Sequence, residues 1–175
     1  ARKNRFFVFI KGNFGFGCMR LPMNGDKVDL EETTKMVDAF MECGFNYFDT
    51  AHGYLQGKSE KALKECLTSR YPREKYLLAN KLSNPYFEKE EDIVPLFESQ
   101  LEICGVEYFD VYMLHWLNKK NYDLAEKYNE FAFLQELKEK GLAKKIGFSY
   151  HDTADLLDEI LTKHPQVDYV LLQMN

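Results

Sequence analysis

The sequence predicts an α/β fold assembled from parallel β/α units, and three observations carry that reading. Six short apolar runs alternate with five stretches of helical periodicity. Strand starts fall mostly about thirty residues apart, the spacing that a strand–helix–strand crossover needs. Four polar residues, Asp49, Tyr54, Lys81 and His115, each lie at or just past the C-terminal end of such a run. Parallel β/α folds gather their chemistry on that face.

Taken in order, Phe14–Cys18 is the first strand. Its paired glycines fall short of a dinucleotide fingerprint, because Arg20 stands where the third glycine belongs and Pro22 follows in place of a helix. Glu31 to Cys43 carries Met36, Val37, Phe40 and Met41 at helical spacing, with Gly44 as the stop. Phe45–Asp49 is the second strand, and the next helix starts near Ser59, its expected N-cap, with Ala62, Leu63, Cys66 and Leu67 on one face. Tyr76–Lys81 is a strand. The helix from about Asp92 to Cys104 tolerates Pro95 only in its first turn and ends at Gly105. Phe109–His115 is a strand, followed by a long polar connection and a helix from about Glu126 to Lys140, closed by Gly141. Lys145–Ser149 is the fifth strand. Asp152 or Thr153 caps a helix bearing Leu156, Leu157, Ile160 and Leu161, Pro165 ends it, and Val167–Leu172 is the last strand. Six strands fall short of an eight-stranded barrel, which typically takes ~250 residues. Periodicity alone therefore leaves two forms open: an open sheet, or the first three quarters of a barrel.

At 175 residues and 45% apolar content, the chain can bury the core of a single domain over 1–175. A net charge of -5 without long like-charged blocks gives no electrostatic footprint for nucleic acid or an anionic membrane, so neither is an expected partner. Cys18, Cys43, Cys66 and Cys104 are scattered with no C-x-x-C pair, so neither a metal site nor an iron–sulfur cluster is expected within this segment. Free thiols point to a reducing, cytoplasmic setting. The N-terminal Ala1–Ile10 has too short an apolar run for a signal or a membrane span and is expected to form an extra strand or a cap over a barrel floor.

A phenol titrates near ~10, so a site that draws a proton from tyrosine must stabilise the phenolate. Lys81, held by Asp49, is the candidate ammonium beside Tyr54, and His115 would orient a bound carbonyl oxygen. No Ser or Cys stands in a nucleophile elbow. A protonated carbonyl still needs an electron pair, and hydride from a nicotinamide is the natural source. Each residue also has a plain structural reading: Asp49 as a loop cap, Lys81 solvated, His115 in the core, Tyr54 packing its loop. Two other functions stand beside the first. One is a metal-dependent hydrolase using Asp49, His52, His115 and His151, although the sequence lacks the H-x-H pair expected of it. The other is a non-catalytic nucleotide-binding barrel.

Asn46-Tyr-Phe-Asp-Thr-Ala-His-Gly-Tyr54, then Gly57-Lys-Ser-Glu60, Lys81, Asp110-Val-Tyr-Met-Leu-His-Trp116 and Ile146-Gly-Phe-Ser149, in that order, resemble the aldo-keto reductases from about Phe14 to Asn175. The resemblance implies a (β/α)8 TIM barrel, of which about six strands and five helices are present. It also implies NADPH or NADH as cofactor and a small-molecule carbonyl substrate. Asp49, Tyr54, Lys81 and His115 would be its catalytic set, with Tyr54 the general acid. Ser149 and Gln173 would hold the nicotinamide carboxamide, and Cys18, Met19 and Arg20 would line the cofactor cleft. Where many members have Asn after the fifth-strand Ser, this chain has Tyr150. Gly-Cys-Met-Arg-Leu-Pro22 and Gly-Phe-Ser-Tyr-His-Asp152 resemble a bacterial branch that often carries a C-terminal ferredoxin-like extension. By the same resemblance the barrel is expected to be C-terminally incomplete at Asn175, with the loops that grip the pyrophosphate still to come. Substrate identity and oligomeric state are left open.

Overall fold

The computed structural model describes residues 10–173. Strand β1 (Gly15–Gly17) runs into a 3-10 turn at Cys18–Arg20 and then a small antiparallel hairpin, β2 (Met23–Asn24) and β3 (Lys27–Val28). Helices and strands then alternate: α1 (Leu30–Glu42), β4 (Tyr47–Asp49), α2 (Lys58–Leu63), β5 (Leu77–Leu82), α3 (Ile93–Cys104) and β6 (Phe109–Leu117). Two helices, α4 (Lys119–Lys127) and α5 (Glu130–Glu139), precede β7 (Ala143–Tyr150), α6 (Ala154–Lys163) and β8 (Tyr169–Leu172). β1, β4, β5, β6, β7 and β8 lie side by side in that order, every neighbouring pair parallel. This is the half-barrel arc of a (β/α)8 barrel, as the strand and helix alternation predicts. The expected N-terminal strand or cap falls outside the described residues except for Ile10, which packs against the inner side of the sheet.

Strand register explains which residues face the barrel axis. Tyr47 pairs with Leu77, Asp49 with Ala79, Ala79 with Val111, and Lys81 with Met113. Met113 pairs with Gly147, Gly147 with Tyr169, and Ser149 with Leu171. Side chains alternate along a strand, so these positions share one face. Tyr47, Ala79, Val111 and Met113 form its apolar floor. The opposite parity, Phe48, Leu78, Tyr112 and Phe148, is fully buried beneath the helices. Each such side chain contributes roughly 1.5–3 kcal/mol. Phe14, Phe16, Phe40, Phe45 and Phe48 pack, mostly tilted or edge-on, between α1 and the first two strands of the arc at centroid distances of 5.1–6.2 Å.

Local chemistry sets the element ends. Asp29 caps α1 by accepting from the Glu32 N–H, and Thr153 caps α6 by accepting from that of Leu156. Gly105 takes a left-handed conformation (φ 66) to close α3. Three expectations are corrected. Ser59 is not the N-cap of α2: Gly57 holds that position with φ 81 and no side-chain cap. The Ser59 hydroxyl is buried instead, donating to the Cys18 carbonyl at 2.8 Å with Thr50 Oγ1 beside it at 2.8 Å. The single helix from Glu126 to Lys140 is broken at Asn129 (φ 53) because its two halves serve different neighbours, α4 packing on β6 and α5 on β7. The connection after β6 is mostly α4 itself, nucleated by Asn118 accepting from the Asn121 N–H. Its polarity concealed it, since only Tyr122 and Ala125 are buried.

Candidate active site

Lys81 ends the inward-facing row of β5 and is only 1% exposed. An ammonium in that position requires partners, and it has three. Nζ donates to Asp49 Oδ1 at 2.5 Å, to the Thr50 carbonyl at 2.7 Å and to the Tyr54 hydroxyl at 3.2 Å. All three acceptors come from the segment at and just after β4. Tyr54 reaches back because the chain after it is left-handed for three residues: Leu55 (φ 52), Gln56 (φ 57) and Gly57 (φ 81). For Leu55 and Gln56 that conformation costs roughly 1–2 kcal/mol each, strain of the kind that concentrates at functional sites.

His115 reaches the same cluster through a second irregularity. The register of β6 against β7 shifts between Leu114 and Leu117, a bulge, and Trp116 adopts φ 58. Bulges re-aim side chains. Here the bulge turns the Trp116 N–H onto Ser149 Oγ at 2.7 Å and sets the His115 ring edge-on to Tyr54, with centroids 5.7 Å apart. His115 Nδ1 lies 2.6 Å from Ser83 Oγ. With Ser83 donating, the ring hydrogen sits on Nε2, where it can be offered to a carbonyl oxygen. Burial, then the nearby Lys81 and His151, pushes His115 down from its ordinary 6.5 to about 4. The ring is therefore neutral throughout the physiological range.

Behind this cluster lies a polar network centred on Glu60, a residue that entered the resemblance only as the last letter of Gly57-Lys-Ser-Glu60. Glu60 on α2 is fully buried and accepts from Asn80 Nδ2 (2.7 Å) and Gln100 Nε2 (3.0 Å), with His52 Nδ1 at 2.9 Å. Gln100 also donates to the Lys81 carbonyl and accepts from the Tyr112 hydroxyl, and Asn80 Oδ1 accepts from the Lys81 N–H. Glu60 thus ties the loop that carries Tyr54 to the strand that carries Lys81. A Gly–Lys–Ser–Glu run near a strand-end Asp was its only signal in the sequence. The Asp110 carboxylate plays a plainer part, accepting from the Leu78 N–H (2.8 Å) and Arg73 (2.6 Å) to tie β6 to β5 near their N-terminal ends.

The remaining expected residues are dispersed. Cys18 is fully buried, burial raises its thiol far above the ordinary range, and it lines neither cavity beside the cluster. Met19 and Arg20 lie exposed on the 3-10 turn after β1. Ser149 is 3% exposed, and after accepting from Trp116 it still has its own hydrogen to donate. Gln173 follows β8 at the inward parity of Tyr169 and Leu171 and is exposed. The four residues weighed as metal ligands do not assemble: Asp49 is spent on Lys81, His52 on Glu60 and His115 on Ser83, and His151 packs edge-on to Trp116. Among the described residues no helix is long and apolar enough to cross a membrane.

Two cavities flank the cluster. One, of about 540 Å³, opens on the inward face beside Gly15, Gly17, Tyr47, Asp49 and Tyr169. A Cβ at Gly17 would meet nothing within 4 Å, and Asp49 Oδ2 is buried there without a hydrogen-bond partner. The other, of about 410 Å³, lies over His115 between Tyr86, Trp116 and the first turn of α4. A nicotinamide ring would find a hydrogen-bond donor in Ser149 and open space beside Gly17.

A partial parallel β/α barrel with a lysine, carboxylate and tyrosine in contact at its C-terminal face defines a class of barrel with proton-handling chemistry at the strand ends. The chain belongs to the aldo/keto reductase family, whose model matches residues 13–175. It is 30% identical over 178 residues to Protein REDOX 2 of Catharanthus roseus, covering 89% of this chain and 52% of that one. It is 31% identical over 147 residues to the NADH-specific methylglyoxal reductase of Escherichia coli (strain K12), covering 71% of this chain and 44% of that one. Among solved structures, an aldo-keto reductase from Bacillus halodurans in its holo form superimposes with a TM-score of 0.77 at 26% identity, over 94% of this chain and 54% of that chain. The chain spans about half the length of the relatives it matches.

Proposed function

We propose that this chain supplies the proton-donating half of an NADPH- or NADH-dependent carbonyl reductase acting on small aldehydes or ketones in the cytoplasm. The observation that carries the reading is the contact of Lys81 with both Asp49 (2.5 Å) and the Tyr54 hydroxyl (3.2 Å). When bound, the nicotinamide supplies hydride to the carbonyl carbon. Tyr54 gives its proton to the carbonyl oxygen, and the adjoining ammonium stabilises the phenolate left behind. Asp49 and the Thr50 carbonyl hold that ammonium in place. Neutral His115 donates from Nε2 to the same oxygen and fixes its direction. Ser149 and Gln173 would orient the carboxamide. Support for the cofactor comes from a relative named as an NADH-specific reductase and from a Klebsiella pneumoniae aldo-keto reductase solved in complex with NADPH.

The test is consumption of NADPH or NADH with 4-nitrobenzaldehyde by the polypeptide that carries this chain. One alcohol is expected per reduced cofactor consumed. No carbonyl-dependent oxidation with either cofactor would refute the reading.

A further inference from the structure

The cavity over His115 has a chemical bias that the proton relay does not use. Its walls are Tyr86, Pro85, Trp116 and Leu124, an apolar and aromatic sleeve, and among the described residues its one formally charged lining group is Lys120. Among the described residues no carboxylate lines it. Lys119, beside it in the first turn of α4, pairs with Asp123, and the Asp152 carboxylate is taken up by the N–H groups of Lys119 and Thr153. Lys120 is exposed, and its ammonium has no hydrogen-bond or ion-pair partner among the described residues. A second group is similarly uncommitted: Asn84 Oδ1, also on the lining, is buried without a partner. A buried acceptor left unmade is costly, and natural proteins keep few of them.

Resting on the reductase reading above, we propose that this cavity is an anion-selecting substrate subsite. The preferred substrates are aldehydes or ketones carrying a carboxylate or phosphate, with the carbonyl at His115 and Tyr54, the apolar body between Tyr86 and Trp116, and the anion on Lys120. A hydroxyl or N–H on that body would meet Asn84 Oδ1. The volume of about 410 Å³ lies in the lower part of the ~300–1,000 Å³ range of small-molecule sites, so the substrate is compact. The Asp49 carboxylate lies on the other cavity and is paired with Lys81.

The experiment compares 6-oxohexanoate with heptanal, matched in reach but not in charge, on the full polypeptide and its Lys120→Met, Lys120→Glu and Lys120→Arg variants. The readout is the ratio of kcat/KM for the anion to that for the neutral aldehyde. That ratio is expected to fall about two- to fivefold in Lys120→Met, the scale of one exposed ion pair. It should fall further in Lys120→Glu, be largely restored in Lys120→Arg, and shrink as salt is raised. Trp116, on the cavity wall, gives a second readout independent of turnover, taken as the fluorescence change that Trp116→Phe removes. Its fluorescence, titrated with 6-oxohexanoate in the presence of NADP⁺, should show a midpoint raised by the same factor in Lys120→Met. An unchanged ratio and midpoint, or equal losses for both aldehydes, would overturn the subsite. If neither aldehyde is reduced by the parent, the reductase reading fails separately, while the fluorescence titration still decides whether Lys120 holds an anion.

Discussion

Replacing Glu60 should separate loss of charge from loss of acceptors, because the carboxylate satisfies three donors at once. In Glu60→Ala, Asn80 and Gln100, both fully buried, each lose one hydrogen bond. Each unmade buried hydrogen bond costs roughly 1–3 kcal/mol, so with the added cavity the variant should lose about 3–6 kcal/mol of stability. Glu60→Gln keeps an oxygen for Asn80 and Gln100 and can turn its amide toward His52 Nδ1. Only the charge assistance is lost, about 1–2 kcal/mol. Because Gln100 and Asn80 also hold the backbone of Lys81, Glu60→Ala should depress kcat as well, while Glu60→Gln keeps most of it. Urea unfolding at neutral pH, alongside kcat/KM for one aldehyde, measures both effects. If Glu60→Ala unfolds at the parent's urea concentration, or if Glu60→Gln falls as far as Glu60→Ala, the network does not bear the load assigned to it.

Two further outcomes follow from the same geometry. His115 is held at about 4 against an ordinary 6.5, so between those pH values the unfolded chain binds a proton that the folded chain does not. Stability should therefore fall as the pH drops through that window, by up to about 3 kcal/mol at its acid end, and His115→Gln should flatten the slope measured by urea midpoints. Gly147→Ala would place a Cβ 2.0 Å from the backbone oxygen of Tyr169, which cannot swing aside as a side chain would. The expected cost is about 1–3 kcal/mol or more, read as a lower midpoint with β7 and β8 forced apart. An unshifted midpoint would contradict the close approach.

The arc of strands was legible because each is a short apolar run ending in glycine or polar residues, and the period of the units leaves few alternatives. The cluster of Asp49, Lys81 and Tyr54 was legible for a related reason: strand parity and strand-end placement are sequence properties, and parallel register brings them together. What stayed hidden depends on backbone departures that no periodicity encodes. The left-handed turn at Leu55 and Gln56 and the bulge at His115–Trp116 arise from the contacts they make possible. Ser83 as the partner of His115, and Glu60 as the hub behind Lys81, are tertiary pairings 32 and 20–40 residues apart in sequence. Ser59 misled because serine before a helical run is the usual cap, yet here its hydroxyl ties α2 to the turn after β1. The Gly of Ile146-Gly-Phe-Ser149 was quoted as a motif letter, and its physical reason, the nearness of Tyr169, appears only in three dimensions.

Tyr54→Phe decides the central proposal most directly, since it removes one oxygen and leaves the ring, the loop and its packing. With fold retained by circular dichroism and cofactor binding unchanged, kcat for aldehyde reduction should fall by at least about 100-fold, the low end for loss of a positioned general acid. A Tyr54→Phe enzyme that reduces the aldehyde at the parent's rate would remove Tyr54, and with it the role given to Lys81, from the chemistry.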